Sequence, residues 1–183
     1  MRDFKITIIG ASGTGKSTLA RALAKQMGLP HFDSDDYFHW PTDPPFQKQR
    51  TPEERMSAIM KDLNQHKSWI LSGGAAVWEP VLPVEFSHIV FMYLPKALRI
   101  QRLKDREAAL FGARIQVGGD MEKTHRDFVN WCEGYDDSTA AGTCTLKRHQ
   151  QLFRETKASL LKLEEPLATG EQLKKVCQFL GLK

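Results

Sequence analysis

Near the start of the chain, Gly10-Ala11-Ser12-Gly13-Thr14-Gly15-Lys16-Ser17 satisfies the pattern GxxxxGK[ST] at every defined position. The chemistry such a stretch performs is phosphate binding. Its glycines let backbone N–H groups turn inward around an anion, at the positive end of the helix that follows. A lysine at position 16 reaches the outer phosphates, and the hydroxyl of Ser17 ligates Mg²⁺. A glycine turn between strand and helix is the plainer reading of the same letters. The β-branched run before it and the helix formers after it favour a nucleotide. Gly10, Ser12, Gly13, Thr14, Gly15, Lys16, Ser17 and Thr18 are therefore expected to hold the β- and γ-phosphates of a nucleotide.

Other residues able to do chemistry are grouped farther along. Asp33-Ser34-Asp35-Asp36 places carboxylates about one helix after the glycine loop. One carboxylate near a metal organises it and another orients a hydroxyl nucleophile, although aspartates also cap turns and helices. Gly73-Gly74-Ala75 is either a strand-end turn or a point of close backbone approach to a ligand. Arg99, Arg102 and Arg106 recur at i, i+3 and i+7, one helical face, which is either functional or a solvated surface paired with Asp105 and Glu107. Gly112, Gly118 and Gly119 surround Arg114, the composition of a hinged lid that carries one cation over a transferring phosphoryl group. The spacing of Phe128 and Trp131 points to core packing. Tyr135-Asp136-Asp137 reads as a surface turn, and the histidines have no metal-ligand spacing.

These groups need a scaffold. Short apolar runs at Phe4–Ile9, around His31 and Phe32, at Trp69–Gly74, His88–Leu94 and Ser159–Leu163 read as five buried strands. Between them lie helical stretches: Lys16–Met27 with Leu19, Leu23 and Met27 on one face, and a helix from Thr51 to about His66. Thr51 supplies a hydroxyl cap, Pro52 the first position and Glu54 the closing residue of a capping box. A long charged helix starts near Lys96, another runs from about Met121 to about Glu133, and GEQLKKVCQFL closes the chain. Strands alternating with helices predict an α/β fold, a parallel sheet covered on both faces, with ligands at the carboxyl ends of the strands.

The 183 residues fit one domain with a large enough core to fold without disulfides or structural metal. A net charge of +4 suits anionic small molecules but lacks the dense basic stripe of a nucleic-acid binder. Three widely separated cysteines fit a reducing compartment. With no apolar run of membrane-spanning length and no leader pattern, the expected location is cytoplasmic.

GASGTGKST, HFDSDD and ILSGGAAV, in that order, resemble the small P-loop kinases, with shikimate and gluconate kinases nearest in layout and adenylate kinases more distant. The resemblance implies a three-layer fold with a five-stranded parallel sheet, an acceptor-binding region at about 35–66 and a mobile lid at about 109–125. It also implies ATP and Mg²⁺ as cofactors and phosphoryl transfer to a small molecule. By similarity to shikimate kinases, Asp33 holds a metal-bound water, Asp35 contacts the acceptor hydroxyl, and Gly73 and Gly74 meet the acceptor. The change to Ala75 where those kinases have a third glycine argues against shikimate itself. RLKDR resembles the lid hinge of adenylate kinases, in which the arginine corresponding to Arg102 stacks on adenine and that corresponding to Arg106 reaches the phosphates. Arg55 lies where such kinases bind an anionic group of the acceptor, and Ala168-Thr169-Gly170 where they cradle adenine. The catalytic set implied is Lys16, Asp35 and Arg114, although the lid arginine-proline of shikimate kinases is missing. Two alternatives stay open: a nucleoside monophosphate kinase, and a non-catalytic ATP-binding regulator similar to DNA topology modulation proteins. A plain ATPase is disfavoured because no glutamate is placed to activate water.

Overall fold

The computed structural model describes residues 3–140 and 142–182. Five strands, β1 (Lys5–Gly10), β2 (His31–Asp33), β3 (Trp69–Ser72), β4 (His88–Met92) and β5 (Ser159–Leu163), form one sheet in the order β2-β3-β1-β4-β5. Every pairing is parallel. All five apolar runs of the sequence are strands, because each is bounded by a turn or a polar residue and is too short for a helix.

Side-chain alternation sorts the core into two layers. Ile6, Ile8, Ile70, Val90 and Met92 point to one face, where they pack on Leu19, Ala20 and Leu23 of α1 (Lys16–Met27) and Val176 of α7 (Thr169–Phe179). Trp69 and Leu71 point to the other, against Ile59 and Leu63 of α3 (Pro52–Leu63). Ile9, Ile89 and Phe91 share that second face with Leu146, Leu152 and Phe153 of α6 (Leu146–Glu155). Helices thus cover both faces, as the strand pattern requires.

The capping box at Thr51 forms as expected: the Glu54 carboxylate accepts from the Thr51 N–H (2.8 Å) and the Thr51 hydroxyl from the Glu54 N–H (3.2 Å). That helix stops at Leu63, one turn before His66. Two helices were not anticipated. One is α2 (Ser34–Phe38), a short segment launched by Asp33; the other is α6, whose buried side includes a histidine. Above the sheet, α4 (Lys96–Phe111) and α5 (Glu122–Glu133) are joined by the glycine-bearing segment 112–121, which contains a 3₁₀ turn at Gly112–Ile115. Among the described residues no helix is long and apolar enough to cross a membrane.

Candidate phosphoryl-transfer site

The glycine loop leaves β1 and is pressed against the chain that follows β4. A Cβ at Gly10 (φ +142°) would lie 2.0 Å from the Met92 carbonyl oxygen, and one at Gly13 (φ +82°) 2.2 Å from that of Arg99. Only glycine lets the loop approach so closely. The buried Thr14 hydroxyl donates to the Ala11 carbonyl at 2.8 Å and pins the turn. Helix α1 then begins at Lys16 with no side chain capping its N-terminus. Open amides at a helix start are donors to an anion, which fits a nucleotide's phosphates. Here the Lys16 ammonium folds back onto the Ala11 carbonyl (2.8 Å). Ser12 meets the Cys132 thiol, and Thr18 lies exposed on α1.

The Asp33 carboxylate is the best-anchored polar group of the site. Its Oδ2 accepts from the Ser17 hydroxyl at 2.6 Å and from the Ser72 hydroxyl at 2.9 Å, while Oδ1 accepts from the Asp35 N–H at 3.2 Å. The last bond makes Asp33 the cap of α2. Capping by Asp33 thus coexists with its contact to the phosphate loop. Because Ser17 spends its one proton on Asp33, its oxygen lone pairs stay available to a cation. A hydroxyl beside a carboxylate is a hard oxygen donor set suited to Mg²⁺.

Asp35 is reachable by solvent yet has much of the protein packed around its carboxyl. Desolvation pushes its carboxyl above the ordinary carboxylate range, Asp33 adds to the rise, and Lys16 and Arg106 oppose it. The structure therefore brings together Lys16, Ser17, Asp33, Asp35 and Arg106. Arg106 also donates to the buried Glu107 (2.9 Å), and Arg102 lies exposed on the same helix.

Other expected residues are engaged within the protein. The Gly73 N–H donates to the Ile8 carbonyl (3.2 Å) and that of Gly74 to the Ser34 hydroxyl (2.8 Å), so neither amide is free for an acceptor. Arg114 is held by Asp120 (2.8 Å) and Asp43 (2.9 Å) and points its guanidinium at carboxylates, not at the phosphate loop. With Gln47 donating to Thr124 (3.1 Å) and Phe46 edge-on to Phe111, this pair straps segment 112–124 to the loop after α2. Arg99 is completely buried and bonded to the Cys132 carbonyl and Asp136, both at 2.5 Å. Tyr135-Asp136-Asp137 is accordingly no surface turn: Tyr135 is buried with its hydroxyl 2.7 Å from His149. Trp131 is 47% exposed and stacks on Phe128, so it is not core. Ala168-Thr169-Gly170 is the first turn of α7 and not a loop.

Arg55 does not pair with a neighbouring glutamate. Its guanidinium lies over the rings of Phe38 (4.8 Å) and Trp78 (4.9 Å) and donates to the Glu79 carbonyl (2.9 Å). Burial lowers its basicity through desolvation. On α6, Arg148 pairs with the carboxylate of the same Glu79. Two arginines, far apart in sequence, thus converge on one residue beside the Gly73-Gly74 turn. Ser72, Cys144 and Arg148 belong to this neighbourhood and escaped sequence reasoning. Ser72 could have been found from its place at the end of a strand next to the glycines, but nothing local marks the other two.

Residues 6–111 match a family described as an AAA domain. A relative from Bacillus subtilis (strain 168), the uncharacterized protein YqaC, is 33% identical over 178 residues, covering 96% of this chain and 97% of its own. Among solved structures, the shikimate kinase of Acinetobacter baumannii in complex with shikimate is 21% identical with a TM-score of 0.57, covering 96% of this chain and 91% of its own. The deoxyadenosine kinase of M. mycoides is 15% identical with a TM-score of 0.57, covering 97% of this chain and 98% of its own. Both share the fold of this chain.

Proposed function

We propose, from the premise that this chain belongs to the P-loop family described by that AAA domain, that it is a kinase transferring a phosphoryl group from ATP to a hydroxyl of a small molecule. The observation that carries the reading is the joint of Ser17 and Asp33 at 2.6 Å, with the Asp35 carboxylate within electrostatic reach of Lys16 and Arg106. Phosphate cradle, cation-facing oxygens and a separate carboxylate with elevated proton affinity then lie at one end of the sheet.

In this reading the loop amides and the open start of α1 hold the β- and γ-phosphates, and Lys16 leaves the Ala11 carbonyl to neutralise them. Mg²⁺, when bound, withdraws charge from the phosphates and aligns them. Ser17 and Asp33 would hold it, Asp33 through bound water. Asp35 accepts the proton of the acceptor hydroxyl as its oxygen bonds the γ-phosphorus and the bond to the bridging oxygen breaks, releasing ADP. Arg102 would stack on adenine and Arg106 would contact the phosphates. Arg114 can serve only after leaving Asp43 and Asp120. Gly73 and Gly74 shape the acceptor site through their turn. Arg55, and Arg148 once it leaves the Glu79 carboxylate, match an acceptor that carries an anionic group. That second arginine also favours an alternative acceptor, a nucleoside monophosphate. Three free cysteines support action in the cytoplasm.

The test is a phosphoryl-transfer screen. Purified protein with ATP and Mg²⁺ is offered sugar acids, cyclic hydroxy acids, nucleosides and nucleoside monophosphates, and ADP release is followed against a blank without acceptor. The kinase reading expects one class to raise the rate, with loss of that rise in Lys16→Ala and Asp35→Ala. ATP binding with no response to any acceptor would move the protein towards the regulator reading, which salt-dependent DNA binding would then support.

A further inference from the structure

Strand alternation places three polar side chains of the sheet edge on one face. In the β2–β3 ladder His31 lies opposite Ile70 and Asp33 opposite Ser72. Ile70 packs beneath α1, so His31, Asp33 and Ser72 all face that helix, whose first turn carries Ser17. The His31 Nε2 is 2.9 Å from the Ser72 oxygen, which is 2.9 Å from Asp33 Oδ2, which is 2.6 Å from the Ser17 oxygen.

Proton accounting gives this row a direction. An ionised Asp33 only accepts, so Ser72 and Ser17 must both donate to it. Ser72 has one proton, already given to Asp33, and its contact with His31 therefore uses an N–H of the imidazole. That N–H occupies a lone pair of Ser72 and holds the serine proton on the carboxylate. With Oδ1 held by the Asp35 N–H, both carboxylate oxygens are oriented.

We propose that His31 is a positioning residue for the cation-binding edge of the phosphate site, acting through Ser72 on Asp33. The inference rests on the nucleotide reading of that site but on no particular acceptor. Groups that donate to a metal-organising carboxylate fix its angle, and their loss typically weakens the metal about tenfold or more.

The experiment measures ATP binding by titration calorimetry on the full chain, with Mg²⁺ and with chelator, so that no turnover is needed. The ratio of the two affinities reports the cation alone. His31→Leu is expected to lower that ratio about tenfold while metal-free ATP affinity stays within about twofold of the parent. His31→Gln, whose amide nitrogen reaches the position of the imidazole Nε2, is expected to restore it. Ser72→Ala should reproduce the loss, and His31→Leu added to it should make nothing worse, because both act on one carboxylate. An unchanged ratio in His31→Leu overturns the proposal. So does equal weakening with and without metal, or failure of glutamine to restore, since either marks a merely structural histidine. If every acceptor fails in the transfer screen while the ratio still depends on His31, the kinase reading falls and this one stands. If the parent protein shows no Mg²⁺ effect on ATP, both fall.

Discussion

Replacing Arg99 by methionine should destabilise the fold by about 3–5 kcal/mol, the penalty for breaking a buried ion pair from one side. The guanidinium is wholly buried and bonded to the Cys132 carbonyl and to Asp136, whose side chain is 27% exposed. Methionine fills most of the volume but leaves a carbonyl and a carboxylate without their donor. The partial exposure of Asp136 draws the figure towards the lower end of that range. Asp136→Asn should cost at least as much as Arg99→Met, because it leaves the fully buried guanidinium without a counter-charge even though the amide oxygen still accepts from it. The double variant should be milder than the sum of the two by about 1–3 kcal/mol, since the second change removes a group already orphaned. Urea unfolding of the parent, both singles and the double at constant slope gives all four corners of the cycle. A loss under about 1 kcal/mol in Arg99→Met, or strict additivity in the double, would refute the reasoning and return Arg99 to the functional arginines of α4.

Three further outcomes follow from the geometry. Gly10→Ala should cost about 3–5 kcal/mol, because its Cβ meets a backbone carbonyl at 2.0 Å in addition to left-handed strain, whereas Gly28→Ala, with open space around it, should cost only about 1 kcal/mol; urea midpoints compare them. Burial pushes His149 down from 6.5 to about 3, so the native state resists a proton that the unfolded chain takes up below pH 6.5. Stability should therefore fall by about 2 kcal/mol from pH 7 to pH 5 on account of this residue, and His149→Gln should flatten that slope in pH-dependent unfolding. Asp43→Ala removes an exposed partner of Arg114, so global stability should move by less than about 1 kcal/mol. Amide exchange across 112–121 should nonetheless quicken, and unchanged exchange would show that the strap does not restrain that segment.

The parts of the protein that were legible in the sequence are those whose cause is local. The phosphate loop needs eight consecutive residues, the strands need apolar runs closed by turns, and the Thr51 helix start needs four letters. Each can be read without knowing what lies across the sheet. Arg99 was misjudged because a charged residue on an amphipathic helix normally faces water, and only the return of Asp136 after α5 explains its burial. Helix α6 went unseen because His149 sits at the buried position between Leu146 and Leu152 and breaks an otherwise regular apolar face. The meeting of Arg55 and Arg148 at Glu79 depends on how α3 and α6 dock, which no window of sequence contains. By contrast, His31 stands two residues before Asp33 on a strand, so its shared face was available from period-two alternation alone.

The commitment of both glycine amides after β3 has a consequence for how this scaffold can change. A ligand recognised by backbone groups is recognised by the fold itself, and point substitutions barely touch the choice. Here Ser34 and Ile8 have taken those donors, and the groups packed beside Gly74 are the replaceable side chains of Trp78 and Cys144. Side chains of this kind can change one at a time while the backbone of the turn stays as it is. Two chains of this shape can therefore part company in chemistry long before they part in architecture.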